Sequence, residues 1–181
     1  VALNCSLNGK VEKAHIFDEI FVQPASGDAG VAVGACYLAS VDRLQHQAPK
    51  KQHNFYLGSG FDGGEIAAAI EQHGLELCKP ENIFESTANE LERGRIVGWF
   101  QGRMEFGPRA LGARSILGDP RSPEMQKTLN LKVKYRESFR PFAPSVLRED
   151  VDDWFDIDTD SPYMLMVADV KSERQKAMSL A

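Results

Sequence analysis

Hydrophobic and polar residues change period along this chain, and the changes mark its elements. Val1-Ala-Leu-Asn-Cys5 reads as a strand and Asn8-Gly9 as a turn, because Asn-Gly is a strong short-range hairpin signal. A second extended run covers Ile16–Val22, and a helix starts near Asp28, which caps it, and continues through Val31, Val33, Ala35 and Leu38. Its small residues, Ala29, Gly30, Ala32, Gly34 and Ala35, predict close packing against another surface. Residues 41–64 lose periodicity and collect Pro49, Lys50, Lys51 and four glycines, the composition of a linker. From Glu65 a helix runs to Gly74, followed by a short strand Leu75–Cys78. Thr87 and Glu90 have capping-box spacing for the next helix, which Gly94 stops. Arg95–Gln101 predicts a buried strand, Pro108 the first turn of a short helix through Arg114, and Ser122-Pro123 another through Leu129. Extended runs at Phe142–Leu147 and Tyr163–Ala168 flank a helix over Glu149–Phe155. Alternating helices and strands predict an α/β (α+β) fold with a mixed sheet.

Composition narrows the class. The chain has 181 residues, 43% of them hydrophobic, which is enough for a sizeable core. No apolar run approaches the ~20 residues of a membrane span, and no basic-then-apolar leader is seen. Cys5, Cys36 and Cys78 are far apart without CxxC spacing, which suits buried thiols in a reducing compartment and predicts a cytoplasmic location. Acidity, with pI ≈ 5.4, argues against nucleic acid as a partner. His15, His46, His53 and His73 lack metal-ligand spacing and read as surface or loop residues. Val1 stands where the middle of a strand is expected, so the sequence reads as a piece of a longer protein.

Charge is distributed unevenly. Gly102–Arg140 holds nine Lys/Arg against four acids, a net of +5 within a chain of formal net charge −5. So local a reversal points to a partner of concentrated negative charge. The first arginines are interleaved with Gly102, Gly107, Pro108, Gly112 and Gly118. Glycines let backbone amides approach a ligand, and guanidinium forks suit phosphate or carboxylate oxygens. Arg103, Arg109, Arg114, Arg136 and Arg140 are the candidate anion-binding residues, with Lys132 and Lys134 behind them. A solvated basic face is the competing reading. Glu105 either orients a guanidinium or forms a plain ion pair; Ser138 is either a phosphate donor or a loop hydroxyl. Trp99 and Phe100 read as core rather than as base-stacking groups.

The run Gly98-Trp-Phe-Gln-Gly-Arg-Met-Glu-Phe-Gly-Pro-Arg-Ala-Leu-Gly-Ala-Arg-Ser115, with Lys134-Tyr-Arg-Glu-Ser-Phe-Arg-Pro-Phe-Ala-Pro-Ser145, resembles the C-terminal region of the O-carbamoyltransferases of antibiotic and nodulation-factor biosynthesis. Val1–Gly9 and Phe21–Gly30 look like two further motifs of that family, and all four occur in family order. The resemblance implies the tail of an actin-like ATPase fold over 1–40, a linker over 41–59 and a YrdC-like mixed-sheet domain over 60–181, truncated at its C-terminus. It implies an enzyme that forms carbamoyl-adenylate from carbamoyl phosphate and ATP, then passes the carbamoyl group to a hydroxyl of a small-molecule acceptor. The alternative is a non-catalytic nucleotide- or anion-binding module of the same fold.

Carried onto this sequence, the resemblance makes Arg103, Arg109 and Arg114 catalytic. Lys132, Lys134, Arg136, Ser138 and Arg140 become the substrate phosphate site, and Asn4, Asn8, Gly27 and Gly30 lie at the nucleotide. Asp28 becomes a ligand to a divalent metal, Fe²⁺ by the same resemblance. On the residues alone Asp28 is a helix cap and Asn8 a turn residue. The family's upstream half and its histidine ligands are not in this sequence, so the isolated piece is expected to bind phosphate ligands weakly and to lack turnover. Residues 1–40 are expected to expose strand edges that favour association, including a homo-oligomer. The arginines of Gly102–Arg114 are expected to converge on one concave site.

Overall fold

A computed structural model of the chain describes residues 1–47 and 54–176. Part of the expected linker, together with Pro49–Lys51 and His53, lies outside the described residues, as does the end of the expected second domain. The elements are α1 (Cys5–Lys13), α2 (Asp28–Asp42), α3 (Gly63–Gln72), α4 (Ile83–Glu92), β1 (Val97–Phe100), β2 (Arg114–Leu117), α5 (Met125–Thr128), a π-helical turn (Leu129–Val133), α6 (Val151–Trp154), β3 (Phe155–Asp156) and β4 (Asp169–Val170). They divide into two compact units. One takes the described residues of Val1–His53, Gly107–Arg109 and Ser145–Ala181; the other takes Asn54–Phe106 and Ala110–Pro144.

In the first unit, α1 replaces the expected strand and turn. Asn4 caps it by accepting from the Leu7 N–H at 3.0 Å. The Asn8-Gly9 pair lies inside the helix and is buried, because the Asn8 amide donates to the Ala2 and Leu165 carbonyls, both at 2.9 Å. That long-range bond overrides the local turn preference. Gly9 is needed there, since a Cβ would come within 2.4 Å of the Val167 carbonyl oxygen. Lys13 bonds Asp169 and lies 3.9 Å from Asp156. The expectation of open strand edges in residues 1–40 is thereby corrected: their regular elements are helices, whose backbone groups are satisfied internally, and α1 packs on 165–169. The runs Ile16–Val22 and Tyr163–Ala168 form no ladder. Gly27, not Asp28, is the α2 N-cap. α2 buries none of its residues, and nothing approaches Gly34 within 4 Å, but a Cβ on Gly30 would come within 2.2 Å of the Ala25 carbonyl oxygen, so the expected close packing is met at Gly30 and not at Gly34.

The second unit keeps more of the expected pattern. The capping box belongs to Asp62 and Glu65 at the start of α3. α4 is capped by Asn82, while Thr87 lies inside it with its hydroxyl donating to the Ile83 carbonyl at 2.7 Å. Leu75–Cys78 and Phe142–Leu147 are not strands, and no helix follows Pro108. β1 pairs with β2 in antiparallel register, Val97 opposite Leu117 and Phe100 opposite Arg114, and in the first unit β3 pairs with β4 likewise. The single mixed sheet is thus corrected to two two-stranded antiparallel ribbons among the described residues. A loop suffices to join antiparallel neighbours, whereas parallel ones need a long crossover. β1 is half exposed rather than buried, with Trp99 against Phe84 and Phe100 against Phe61. Cys36 and Cys78 are exposed and Cys5 partly so, and none is paired, which corrects the expectation of buried thiols. Among the described residues no helix is long and apolar enough to cross a membrane.

The two glycine environments make opposite predictions. Gly9→Ala forces a Cβ into backbone and should cost about 1–3 kcal/mol. Gly34→Ala, in an open helix interior, should gain about 0.5–1 kcal/mol. Denaturant unfolding of both variants checks this; equal effects would show that α1 does not rest on residues 165–167.

Candidate functional site

Three backbone bonds lay residues 55–59 beside 104–106: Gly58 N to Met104 O, Met104 N to Ser59 O and Phe106 N to Phe55 O, at 2.7–2.9 Å. Residues placed in the expected linker therefore line one side of the arginine-rich loop. Arg103 lies along this seam, donating from Nε to the Gly58 carbonyl (3.0 Å) and from Nη2 to the Leu57 carbonyl (3.1 Å).

Glu105 follows, with its side chain 1% exposed. One carboxylate oxygen accepts from the backbone N–H groups of Leu111 (2.6 Å), Ala113 (2.9 Å) and Arg114 (3.3 Å). The other lies 3.4 Å from Arg114 Nε. Burial is the largest single influence on this carboxyl and opposes its ionisation. The backbone donors of Leu111, Glu105 itself, Ala113 and Arg114 together outweigh it and hold its pKa below the ordinary glutamate value of 4.5. Both readings of Glu105 made from sequence are too small: the carboxylate ties the return of the loop to its start. Between those ends Gly107 adopts φ +122°, open to glycine but strained for other residues, beside Pro24 and Ala25 of the first unit. Arg109 belongs to that same unit, where Nη2 donates to the Leu3 carbonyl at 3.3 Å and Nε is buried without a hydrogen-bond partner. Arg103, Arg109 and Arg114 thus engage three different partners.

Arg136, Ser138 and Arg140 do share a centre, and it is a residue the sequence reading missed. Asn130 is fully buried. Its amide nitrogen donates to the carbonyls of Ser138 (3.0 Å) and Arg140 (2.8 Å), and its amide oxygen accepts from Arg136 Nε at 2.7 Å. The Arg136 guanidinium also lies over the Phe142 ring, 5.0 Å from its centroid. Lys132 lies in the π-helical turn and Lys134 caps it, its N–H reaching the Leu129 carbonyl at 2.9 Å. Arg140 pairs with Glu137 at 2.8 Å in the open, a contact worth little in water. A period break at Leu129-Asn130, with a polar residue where the helix should bury an apolar one, was the available signal.

Asn4 and Gly27 are helix caps, Asn8 is a buried packing amide, and Gly30 lies in the first turn of α2. Asp28 is exposed at the first helical position. Among the described residues no three His, Cys, Asp or Glu side chains gather as a metal site. A catalytic metal normally takes about three protein ligands, so the residues present do not by themselves fit the implied ion. A cavity of about 260 Å³ in the first unit, lined by Glu12, Lys13, His15, Asp156 and Asp158, contains none of the expected site residues.

The carbamoyltransferase C-terminus model matches residues 88–181, the stretch that carries both arginine loops, and the carbamoyltransferase N-terminus model matches residues 1–37. The chain belongs to the carbamoyltransferase family. It is 43% identical over 182 residues to nodulation protein NolO of Bradyrhizobium diazoefficiens, covering 96% of this chain and 33% of that protein. It is 35% identical over 175 residues to the 3'-hydroxymethylcephem-O-carbamoyltransferase of Streptomyces clavuligerus, covering 94% and 31%. An uncharacterized Synechocystis protein is 50% identical over 181 residues, covering 96% and 29%. This carbamoyltransferase chain therefore spans about three tenths of the length of these relatives.

The Glu105 geometry yields a pH prediction. A carboxyl whose pKa is lower in the folded state stabilises the protein above the unfolded value and loses that contribution as pH falls through the folded one. Glu105→Gln should cost about 1–3 kcal/mol at pH 7. The gap to the unsubstituted protein should shrink below the ordinary glutamate range. Unfolding titrations from pH 7 to pH 3 check it; a constant gap would show that the ionised carboxylate is not what holds the loop.

Proposed function

We propose that this chain is part of an enzyme that carbamoylates a hydroxyl group of a small molecule by way of carbamoyl-adenylate. In this reading residues 1–40 end an actin-like transfer domain, 41–59 link, and 60–181 belong to a YrdC-like domain that makes the adenylate from ATP and carbamoyl phosphate. Water first cleaves carbamoyl phosphate to carbamate and inorganic phosphate; a carbamate oxygen then attacks the α-phosphorus of ATP, and the bond from that phosphorus to the leaving pyrophosphate breaks. Two anions must meet in the second step, and fixed guanidinium groups offset their repulsion and the charge that develops on the phosphoryl oxygens. Lys132, Lys134, Arg136, Ser138 and Arg140 take the phosphate groups, Arg103, Arg109 and Arg114 act at the reacting centre, and Asn4, Asn8, Gly27 and Gly30 line the nucleotide. No step is routed through a metal on Asp28.

The observation that carries this reading is Arg109. Gly107–Arg109 departs from its own loop to pack with Leu3, Pro24 and Ala25, so one arginine of the C-terminal motif stands among the motifs of the first 30 residues. Its Nε is buried with no partner. A buried donor without an acceptor is costly, and a ligand oxygen is one way to satisfy it.

In the full-length parent, ATP and carbamoyl phosphate should give carbamoyl-adenylate detectable by mass spectrometry, and Arg109→Ala should abolish its formation. An Arg109→Ala parent that merely binds less tightly, with no adenylate from the unsubstituted protein either, would favour the non-catalytic binding module. For the isolated chain, calorimetry should show weak binding of ATP that falls as salt rises, since arginine–phosphate contacts near solvent are screened over about 8–10 Å. Tight, salt-insensitive binding or any carbamoylated product from it would contradict this.

A further inference from the structure

We propose that Asn130 is the positioning residue of the phosphate site, acting by aiming Arg136 and fixing the 134–140 loop. The proposal rests on the reading above for the identity of the anion. Asn130 is 0% exposed, yet the bonds of its side chain run to one short segment: two carbonyls, at Ser138 and Arg140, and one guanidinium, at Arg136. Its own backbone carbonyl also receives the Arg136 N–H at 2.9 Å. The residue sits where the chain passes from α5 into a π-helical turn, Leu129–Val133, an irregularity frequent at functional sites. Just beyond it Tyr135 takes φ +49°, which reverses the chain so that residues 136–140 come back over Asn130.

The chemistry of the contact fits positioning rather than plain packing. Arg136 Nε is spent on Asn130, and Phe142 covers the guanidinium face. The Nη groups hold the remaining donors, the pair that makes bidentate contact with phosphate oxygens. Fixing Nε and the ring plane leaves that fork little freedom to lose on binding. Ser138 and Arg140 are tethered through their carbonyls, so the Ser138 hydroxyl and the Arg140 guanidinium stay outside the tether.

The test uses the full-length parent, with inorganic phosphate and carbamoyl phosphate as separate probes in calorimetry, and a thermal unfolding curve for every variant. Asn130→Ser removes the tether. Arg136→Lys keeps the charge but lacks the Nε donor that Asn130 receives. Each should weaken binding of both anions about tenfold or more. The double variant should bind scarcely worse than either single one, because both remove the same arrangement. A merely structural Asn130 would lower the number of competent sites and the unfolding temperature while leaving the dissociation constant of the folded molecules unchanged, and that result overturns the proposal. Independent, multiplying losses overturn it too. Should Asn130→Ser fail to fold, Arg136→Lys decides alone, and affinity within about twofold of the parent refutes the positioning role. A parent that binds both probes but forms no adenylate refutes the functional reading only; a parent that binds neither refutes both.

Discussion

A glycine-rich loop able to approach an anion carries backbone N–H groups that no helix or ladder satisfies, and such groups must find acceptors if they are buried. Here one carboxylate answers that requirement. Glu105 enters beside the seam with residues 55–59, and a single oxygen collects the amides of Leu111, Ala113 and Arg114 where the loop returns. The β1–β2 ribbon closes below, with Gln101 N bonding Ala113 O at 3.0 Å. Beyond these two clamps lies Gly107–Arg109, which belongs to the first unit, where it packs with Leu3, Pro24 and Ala25. Without the Glu105 bonds, the loop's amides would need water, and the register of Arg114 against Phe100 would lose its near anchor.

Sequence patterns served well where local chemistry decides and poorly where distant partners do. α3 and α4 have amphipathic spacing, side-chain caps and glycine stops, and both appear near their expected places, although the capping box itself belongs to Asp62 rather than Thr87. β1 follows from its aromatic run, but β2 does not, because the expected short helix runs through Arg114, where the Glu105 bond instead meets the start of a strand. The first thirteen residues fail for a different reason. Asn8-Gly9 has the local signature of a hairpin, yet the acceptor that fixes the Asn8 side chain is Leu165, 157 residues away. No window of sequence contains that information.

The same distinction runs through the candidate site. Arginines stood out by charge and glycine spacing, and the family motif assigned them, but charge says nothing about direction. The guanidinium groups of Arg103, Arg109 and Arg114 bond Leu57 and Gly58, Leu3, and Glu105 respectively. Arg136, Ser138 and Arg140 are held by one common neutral residue that no charge pattern could reveal. A net of +5 over Gly102–Arg140 is therefore one number describing at least two different arrangements.

Those arrangements differ in a way that bears on what each can do. Glu105 brings a negative charge, and its oxygens face inward onto amides and Arg114 Nε, so it suits a loop whose arginines must be held while the chain between them extends elsewhere. A carboxylate under the 134–140 loop would be a poor choice for a phosphate site, since two negative charges about 4 Å apart repel by about 4 kcal/mol at an intermediate effective dielectric constant. An asparagine avoids this. It supplies two donors, to the carbonyls of Ser138 and Arg140 (the second also reached by the Gln126 amide at 3.1 Å), and one acceptor for a guanidinium, while leaving the positive charge of Arg136 and Arg140 unopposed from beneath. Glu137 pairs with Arg140 in the open, where water screens the pair, and under the phosphate role we propose for this loop an incoming anion competes for the guanidinium. A buried neutral tether with an exposed, displaceable acid is the combination that lets the loop stay ordered without already being neutralised.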